Sequence, residues 1–378
     1  MSSIQVEDIW SVDVPDTGYA SAPTMTRTAD GQLMAVYSGG RKHHVCPFGQ
    51  VHLITSRDEG KSWTWPRVLA DGVLDDRDAG ILQTKTGALV VNWFTSLAWE
   101  WVMKNGSTVY HGGKHTRLEP YEDAEWKRRG SNLTDEIRSR ELGGWSIRST
   151  DGGTTWSTKV PTVVGSPHGP CQLSDGRLLY VGKRIAKDLT DAESANNPRW
   201  GSVGGPYSPL NGVAESIDDG QSWQLIGGIP IMPGHEDVEY HELHAVEAAD
   251  GTIIAHIRNH NELHRWETLQ TESPDGGRTW TTPHLLGVWG CPAFLMRTSD
   301  DRLITSIGHR REPNGNRVAV SEDNGKTWSA PMSINTDSAM DFGYPSTVEL
   351  SPGRFLSMWY DVQDRDMGFL RVARWTLS

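Results

Sequence analysis

The feature that most restricts how this chain can fold is an eight-residue pattern, Ser-x-Asp-x-Gly-x-Ser/Thr-Trp, which occurs five times in order. The copies are SRDEGKSW (56–63), STDGGTTW (149–156), SIDDGQSW (216–223), SPDGGRTW (273–280) and SEDNGKTW (321–328). Each position suits a tight hairpin: the Asp accepts turn N–H groups, the Gly takes a positive φ, the Ser/Thr closes the turn and the Trp pins it to a sheet. Strand-like runs such as VHLIT and NRVAV precede the copies. A second repeat supports the first. Six segments read as a polar or Pro-containing start, a β-rich run and a turn: SAPTMTRTADG (21–31), DAGILQTKTG (78–87), HGPCQLSDG (168–176), HELHAVEAADG (241–251), CPAFLMRTSDD (291–301) and YPSTVELSPG (344–353). A further strand follows each turn, as in QLMAVYS or TIIAHIR. Six such units predict an all-β chain folded as a six-bladed β-propeller, residues 1–378 forming one domain.

One stretch breaks the pattern. Residues 98–143, including EPYEDAEWKRRGSNLTDEIRSREL, are rich in charge and hold a helix signal at LTDEIRSREL, with Thr134 as N-cap. It reads as an insertion in the second blade and, like most charged runs, is expected to be a solvated excursion; the alternatives are a rim over the pocket or an oligomer contact. The 40 glycines, 20 prolines and 17 tryptophans fit many short strands joined by tight turns, with large rings between sheets. A net charge of −12 argues against a nucleic-acid partner, and means that an anionic substrate needs a local basic pocket. Three scattered cysteines (Cys46, Cys171 and Cys291) give neither a disulfide framework nor a zinc pattern. MSSIQVEDIWSVDV has no secretory character and no run is apolar enough for a membrane span, so a cytoplasmic location is expected, or a periplasmic or secreted one if a signal peptide was removed.

In a propeller the first strand of each blade lines the channel, and its starting residue faces one mouth. The starts are Ser21 or Ala22, Asp78, His168, Glu242, Cys291 and Tyr344, and neighbouring strand ends add Arg41, Arg258, His309, Arg310 and Arg311. Several guanidiniums around a carboxylate and a phenol, in an acidic chain, are the build expected for binding an acid, since the guanidinium fork pairs with carboxylate in two places. Imidazoles at His43, His44, His168, His241, His244, His260 and His309 suit proton transfer near neutral pH. On strict alternation His241 and His244 are not expected to share the face of Glu242. No spacing matches a metal signature, so neither metal nor cofactor is expected. Cys171 and Cys291 read as small buried hydrophobes.

The five boxes are identified as Asp-boxes, and the whole chain resembles the sialidase (neuraminidase) superfamily of six-bladed propellers, bacterial exo-sialidase-like proteins above all. That family carries a Glu followed nine residues later by a turn Gly and sixteen later by an Arg; Glu242, Gly251 and Arg258 match all three. It also carries a Tyr with a Ser two residues on and a turn Gly nine on, matched by Tyr344, Ser346 and Gly353. The resemblance implies that Tyr344 attacks the anomeric carbon with Glu242 as its base, an exception to the two-carboxylate glycosidase pattern. It implies that Arg258 and Arg310 or Arg311 hold the sugar carboxylate, with His168 and His309 as further substrate contacts. Two departures stand out. Ser21 occupies the position of the family's first arginine, leaving Arg41 or Arg311 to replace it; and GRKHHVCPFG (40–49) has His43 and His44 but no Asp where the acid/base is expected. That role then falls to Asp78 or to a histidine, His44 in particular. The function so implied is an exo-glycoside hydrolase that removes a terminal acidic sugar (sialic acid or a related 2-keto sugar acid) from an acidic glycan. The alternatives are a polysaccharide lyase acting on uronic-acid glycans through His, Tyr and Arg, or a non-catalytic glycan-binding propeller.

Overall fold

A computed structural model describes residues 2–13, 18–111, 114–184, 210–339, 341–363 and 367–378. Six antiparallel sheets follow one another along the chain, and their inner strands are Ser21–Arg27, Asp75–Gln83, Cys171–Gln172, Tyr240–Glu247, Ala293–Arg297 and Phe342–Ser351. This is the six-bladed propeller expected from the two repeats. The sixth blade has no Asp-box because its outer strand comes from elsewhere: Ile4–Ser11 pairs antiparallel with Met367–Leu377, Ile4 opposite Leu377, and closes the ring. Among the described residues no helix is long and apolar enough to cross a membrane.

The Asp-boxes behave as their residue types require. In the first, Ser62 donates N–H and Oγ–H to the two oxygens of Asp58 at 2.9 and 2.6 Å, and Trp63 Nε1 donates to the carbonyl of Gly60 at 3.0 Å. Gly60 sits at φ 80°, where a Cβ would be strained. Every box follows the third strand of its blade. The boxes therefore lie on the face opposite the one where the inner strands begin, and the connections between second and third strands lie on the same face as those beginnings.

That topology decides the place of the blade-two insertion, which joins strand Leu89–Ser96 to strand Gly144–Ser149. It stands on the mouth side and is not a detached excursion. Helices Ala98–Lys104, Pro120–Ser131 and Asp135–Glu141 enclose a small core of Trp99, Val102, Leu118, Trp126 and Leu133, shared with Cys46 and Leu74 of the propeller. Thr134 caps the third helix, its Oγ1 accepting from Ile137 N–H at 3.2 Å. The second helix starts at Pro120, with Glu122 accepting the Glu119 N–H at 3.2 Å. The insertion is thus a wall beside the loop that carries His43 and His44.

Candidate active site

Four inner strands share one irregularity at the mouth. Their pairing with the next strand slips between Ser21 and Thr24, between Arg77 and Gly80, between Tyr240 and Leu243, and between Gly343 and Ser346. Such bulges break alternation and re-aim side chains. Ala22, Asp78 and Tyr344, and His168 in the broken inner strand of blade three, have φ of 48°, 53°, 54° and 69°. Side chains other than glycine rarely adopt these values, at a cost of order 1–2 kcal/mol each, and such strain clusters at functional sites.

At the centre, Tyr344 donates its hydroxyl to Glu242 Oε1 at 2.6 Å, and Arg258 Nη1 reaches the same carboxylate oxygen at 3.0 Å and the tyrosine oxygen at 3.1 Å. Burial pushes the Glu242 carboxyl up, but Arg258, the neighbouring imidazoles and the Tyr344 hydroxyl outweigh it and hold it well below the usual carboxylate range. Burial and the Glu242 charge push the Tyr344 phenol well above its ordinary value, against the pull of Arg258. The resting pair is therefore a firmly protonated phenol beside a carboxylate anion. Arg258 Nε donates to His260 Nε2 at 2.7 Å, and the His260 ring is sandwiched between His241 at 4.0 Å and Trp266 at 4.4 Å. The bulge thus brings His241 beside Glu242, contrary to simple alternation. His244 lies deeper, stacked on Phe294 at 4.7 Å.

The remaining arginines divide sharply. Arg310 donates to the carbonyls of Cys291 and Phe342 at 2.7 and 2.5 Å, which fixes its fork beside Arg258. Arg311 is exposed and lies 3.8 Å over the Trp289 ring. With Trp266, Trp289 and Arg310 it lines a cavity of about 220 Å³ next to Arg258. Arg41 is not an open finger of a clamp: it is fully buried, ion-paired with Asp75, and also donates to the His44 carbonyl at 3.0 Å. Arg77, which the sequence reading passed over, is buried between Asp75 and Asp78 at 3.6 and 3.5 Å, within electrostatic reach of Glu242 and Tyr344.

Asp78 is buried against Arg77, its N–H held by Ser38 Oγ at 2.8 Å. His168 lies below the site, bonded to Thr24 Oγ1 at 3.1 Å with its ring 6.2 Å from that of Tyr344, and burial holds its imidazole down to about 3. His309 buttresses Trp289, Nδ1 against its carbonyl at 3.1 Å. His43 turns away into the insertion, 3.1 Å from Glu122. His44 turns inward: Nδ1 lies 3.2 Å from the Tyr19 hydroxyl and 3.9 Å from Asp341. Asp341, unforeseen from the sequence, accepts hydroxyls from both Tyr19 and Tyr360.

Glu239, His241 and His260 bring one ligand atom each within 4.8 Å of one another. They make a poor cation site, because His260 Nε2 already accepts from Arg258 and the two imidazoles are stacked face to face, 25° apart, whereas ligation needs in-plane lone pairs converging on one point.

Comparison with known proteins gives a consistent picture. The model of the family described as a BNR repeat-like domain matches residues 134–356. A sialidase of Paraclostridium sordellii is 24% identical over 273 residues, 69% of this chain and 57% of that protein. A sialidase of Bacteroides fragilis is 21% identical over 372 residues, 93% of this chain and 61% of its own length. The chain thus spans about three-fifths of the curated relatives it matches. Among solved structures, a Dyadobacter fermentans protein of unknown function superposes with a TM-score of 0.73 at 19% identity, covering 99% of both chains. The leech intramolecular trans-sialidase gives 0.64 at 16% identity, over 99% of this chain and 70% of that one. The intramolecular trans-sialidase of Ruminococcus gnavus gives 0.63 at 15%, over 98% and 96%. These structural likenesses are of fold.

Proposed function

The chain belongs to the BNR repeat-like domain family, and on that premise we propose that it is an exo-glycosidase of the sialidase type, removing a terminal acidic sugar through a covalent bond to Tyr344. One observation carries the reading: a tyrosine hydroxyl 2.6 Å from a buried glutamate, with one guanidinium on both. A phenol is a poor nucleophile until a base takes its proton, and Glu242 is placed to take it. A neutral nucleophile also avoids the repulsion that a carboxylate would meet from an anionic sugar. Arg258 and Arg310 receive the sugar carboxylate, and the name shared by the two relatives supports a sialic acid or related 2-keto sugar acid. The proton for the leaving group comes from Asp78 or His44.

The test is the mass of the products released from sialosides and uronate-containing glycans by the protein and by Tyr344→Phe. A free acidic sugar that has gained one water, and that the variant fails to release, is the expected result. Release by the variant at the native rate would overturn the assignment. An unsaturated product one water lighter would replace hydrolysis by elimination.

A further inference from the structure

Two groups remain as proton donor, and only one has an open end. The Asp78 side chain is 4% exposed and lies against Arg77, whereas that of His44 is 22% exposed and only its Nδ1 is engaged among the described residues. Behind His44 is a set of residues that the nucleophile does not use. Tyr19 donates to Asp341 Oδ2, and Tyr360 donates to Oδ1 at 2.7 Å. A phenol has one proton. Since that of Tyr19 goes to Asp341, its oxygen can only accept from His44, so His44 carries its hydrogen on Nδ1 and presents a bare Nε2. The Tyr360 ring packs against both Tyr19 at 6.1 Å and Tyr344 at 5.9 Å, so this relay and the nucleophile share one aromatic wall.

We propose that His44 is the general acid–base of the site and that Asp341, acting through the Tyr19 hydroxyl, is its positioning residue. The inference rests on the glycosidase reading above. In the first half-reaction His44, protonated from solvent at Nε2 to the imidazolium, passes that proton to the glycosidic oxygen as the bond to the anomeric carbon breaks, the electron pair staying on that oxygen. Tyr344 bonds to the carbon and gives its proton to Glu242. In the second half-reaction water attacks the carbon and yields a proton to Nε2. The pair of the Tyr344–carbon bond returns to the phenol oxygen, which regains its proton from Glu242. One water is consumed.

The groups facing His44 are Asp341, Arg77, Asp78 and Arg41; burial outweighs the two carboxylates, helped by the two guanidiniums, and holds the imidazole down to about 4. The acid form therefore belongs to acidic solution, and turnover of glycosides with poor leaving groups falls as pH rises above that range.

Two measurements test this. Nitrogen-15 NMR of the histidine-labelled protein, with His44 assigned through His44→Gln, should show the Nδ1–H tautomer at neutral pH, and Tyr19→Phe should turn it to the Nε2–H form usual for free imidazole. An Nε2–H tautomer in the native protein would overturn the relay whatever the substrate. Kinetics then compare an alkyl and a nitrophenyl glycoside of N-acetylneuraminic acid. His44→Ala should lose roughly 100-fold or more on the alkyl glycoside and far less on the nitrophenyl one, whose leaving group needs no proton. Asp341→Asn and Tyr19→Phe should lower kcat on the alkyl glycoside, leave KM unchanged, and move the descending, alkaline limb of the pH profile to lower pH. Equal losses of His44→Ala on both glycosides, or an unmoved limb, would refute the proposal. If Tyr344→Phe is silent while His44→Ala turns over normally, the relay alone fails; if Tyr344→Phe remains active, the glycosidase reading itself fails.

Discussion

His260 is the position where one hydrogen-bond acceptor can be removed and the consequence followed through the site. Its Nε2 accepts from Arg258 Nε at 2.7 Å, while Arg258 Nη1 is committed to Glu242 and Tyr344. Among the described residues the third nitrogen, Nη2, has no partner, and on the proposed reading it meets the ligand carboxylate, its direction fixed by the other two. His260→Phe keeps a flat ring between His241 and Trp266 but offers no acceptor. A hydrogen bond to a charged group contributes about 1.5–3 kcal/mol. If that energy serves to aim Arg258, its loss weakens binding of an acidic sugar by about ten- to 150-fold, a tenfold change per 1.4 kcal/mol. The assay is calorimetric titration with free N-acetylneuraminic acid, alongside the unfolding midpoint. His260→Gln, whose carbonyl can accept the same proton, should recover much of the affinity. A dissociation constant within twofold of the native value in His260→Phe, or an equal loss in both variants, would refute the idea that this bond orients the guanidinium.

Other consequences are simpler to check. Burial holds the His256 imidazole down to about 4; since the unfolded chain binds that proton near pH 6.5, stability falls as pH drops through the window between the two, by up to about 1.4 kcal/mol per pH unit. His256→Gln should lessen the slope of the denaturation free energy across that window by one proton's share, the other buried imidazoles keeping theirs, and an unchanged slope would show that the group is not buried neutral. Asp218 accepts Ser222 N–H and Oγ–H at 2.9 and 2.6 Å on the face opposite the mouth; Asp218→Ala should destabilise by about 1 kcal/mol in chemical denaturation while KM is unaltered. The methyl ester of an acidic sugar glycoside should suffer in kcat as well as KM, in contrast to a ligand group whose removal weakens binding alone.

How much of this was legible in the sequence follows the range of the interactions. Asp-boxes are local: Asp58 meets Ser62 four residues on, and the composition of one turn is enough to read it. Glu242 and Arg258 face each other across one hairpin, so their sixteen-residue spacing carries their contact directly. What stayed hidden depends on ring closure or on a bulge. Tyr19 and Asp341 are 322 residues apart and meet only because the first and sixth blades are neighbours. His241 was assigned to the wrong face because a one-residue slip cannot be seen in an alternating pattern. Arg41 looked like a free cation at a strand end, and only the packing of blade two against blade one supplies the buried Asp75 that takes it. The helix Pro120–Ser131 had its signal in EPYE, where Glu, a modest cap, precedes a proline at the first helical position.

The arrangement of charge explains how an acidic chain can hold a basic mouth, and why recognition and activation are linked there. A guanidinium buried without a partner costs several kcal/mol, so each buried arginine of the mouth comes with an acceptor. Arg41 has Asp75, Arg77 lies between Asp75 and Asp78, Arg310 has two carbonyls, and Arg258 has Glu242. Among these partners, the proposed mechanism uses Glu242 alone to move the nucleophile's proton. While Glu242 is the anion that Arg258 meets, the guanidinium keeps that carboxylate a weak base, and burial together with the Glu242 charge keeps Tyr344 a neutral phenol. A substrate carboxylate arriving at Arg258 divides the guanidinium's field between two anions, and two neighbouring carboxylates raise each other's proton affinity. On the glycosidase reading proposed above, Glu242 becomes more basic when the acid is bound, and so would take the phenol proton in the complex that needs it. A neutral sugar that filled the same space would leave the pair at rest.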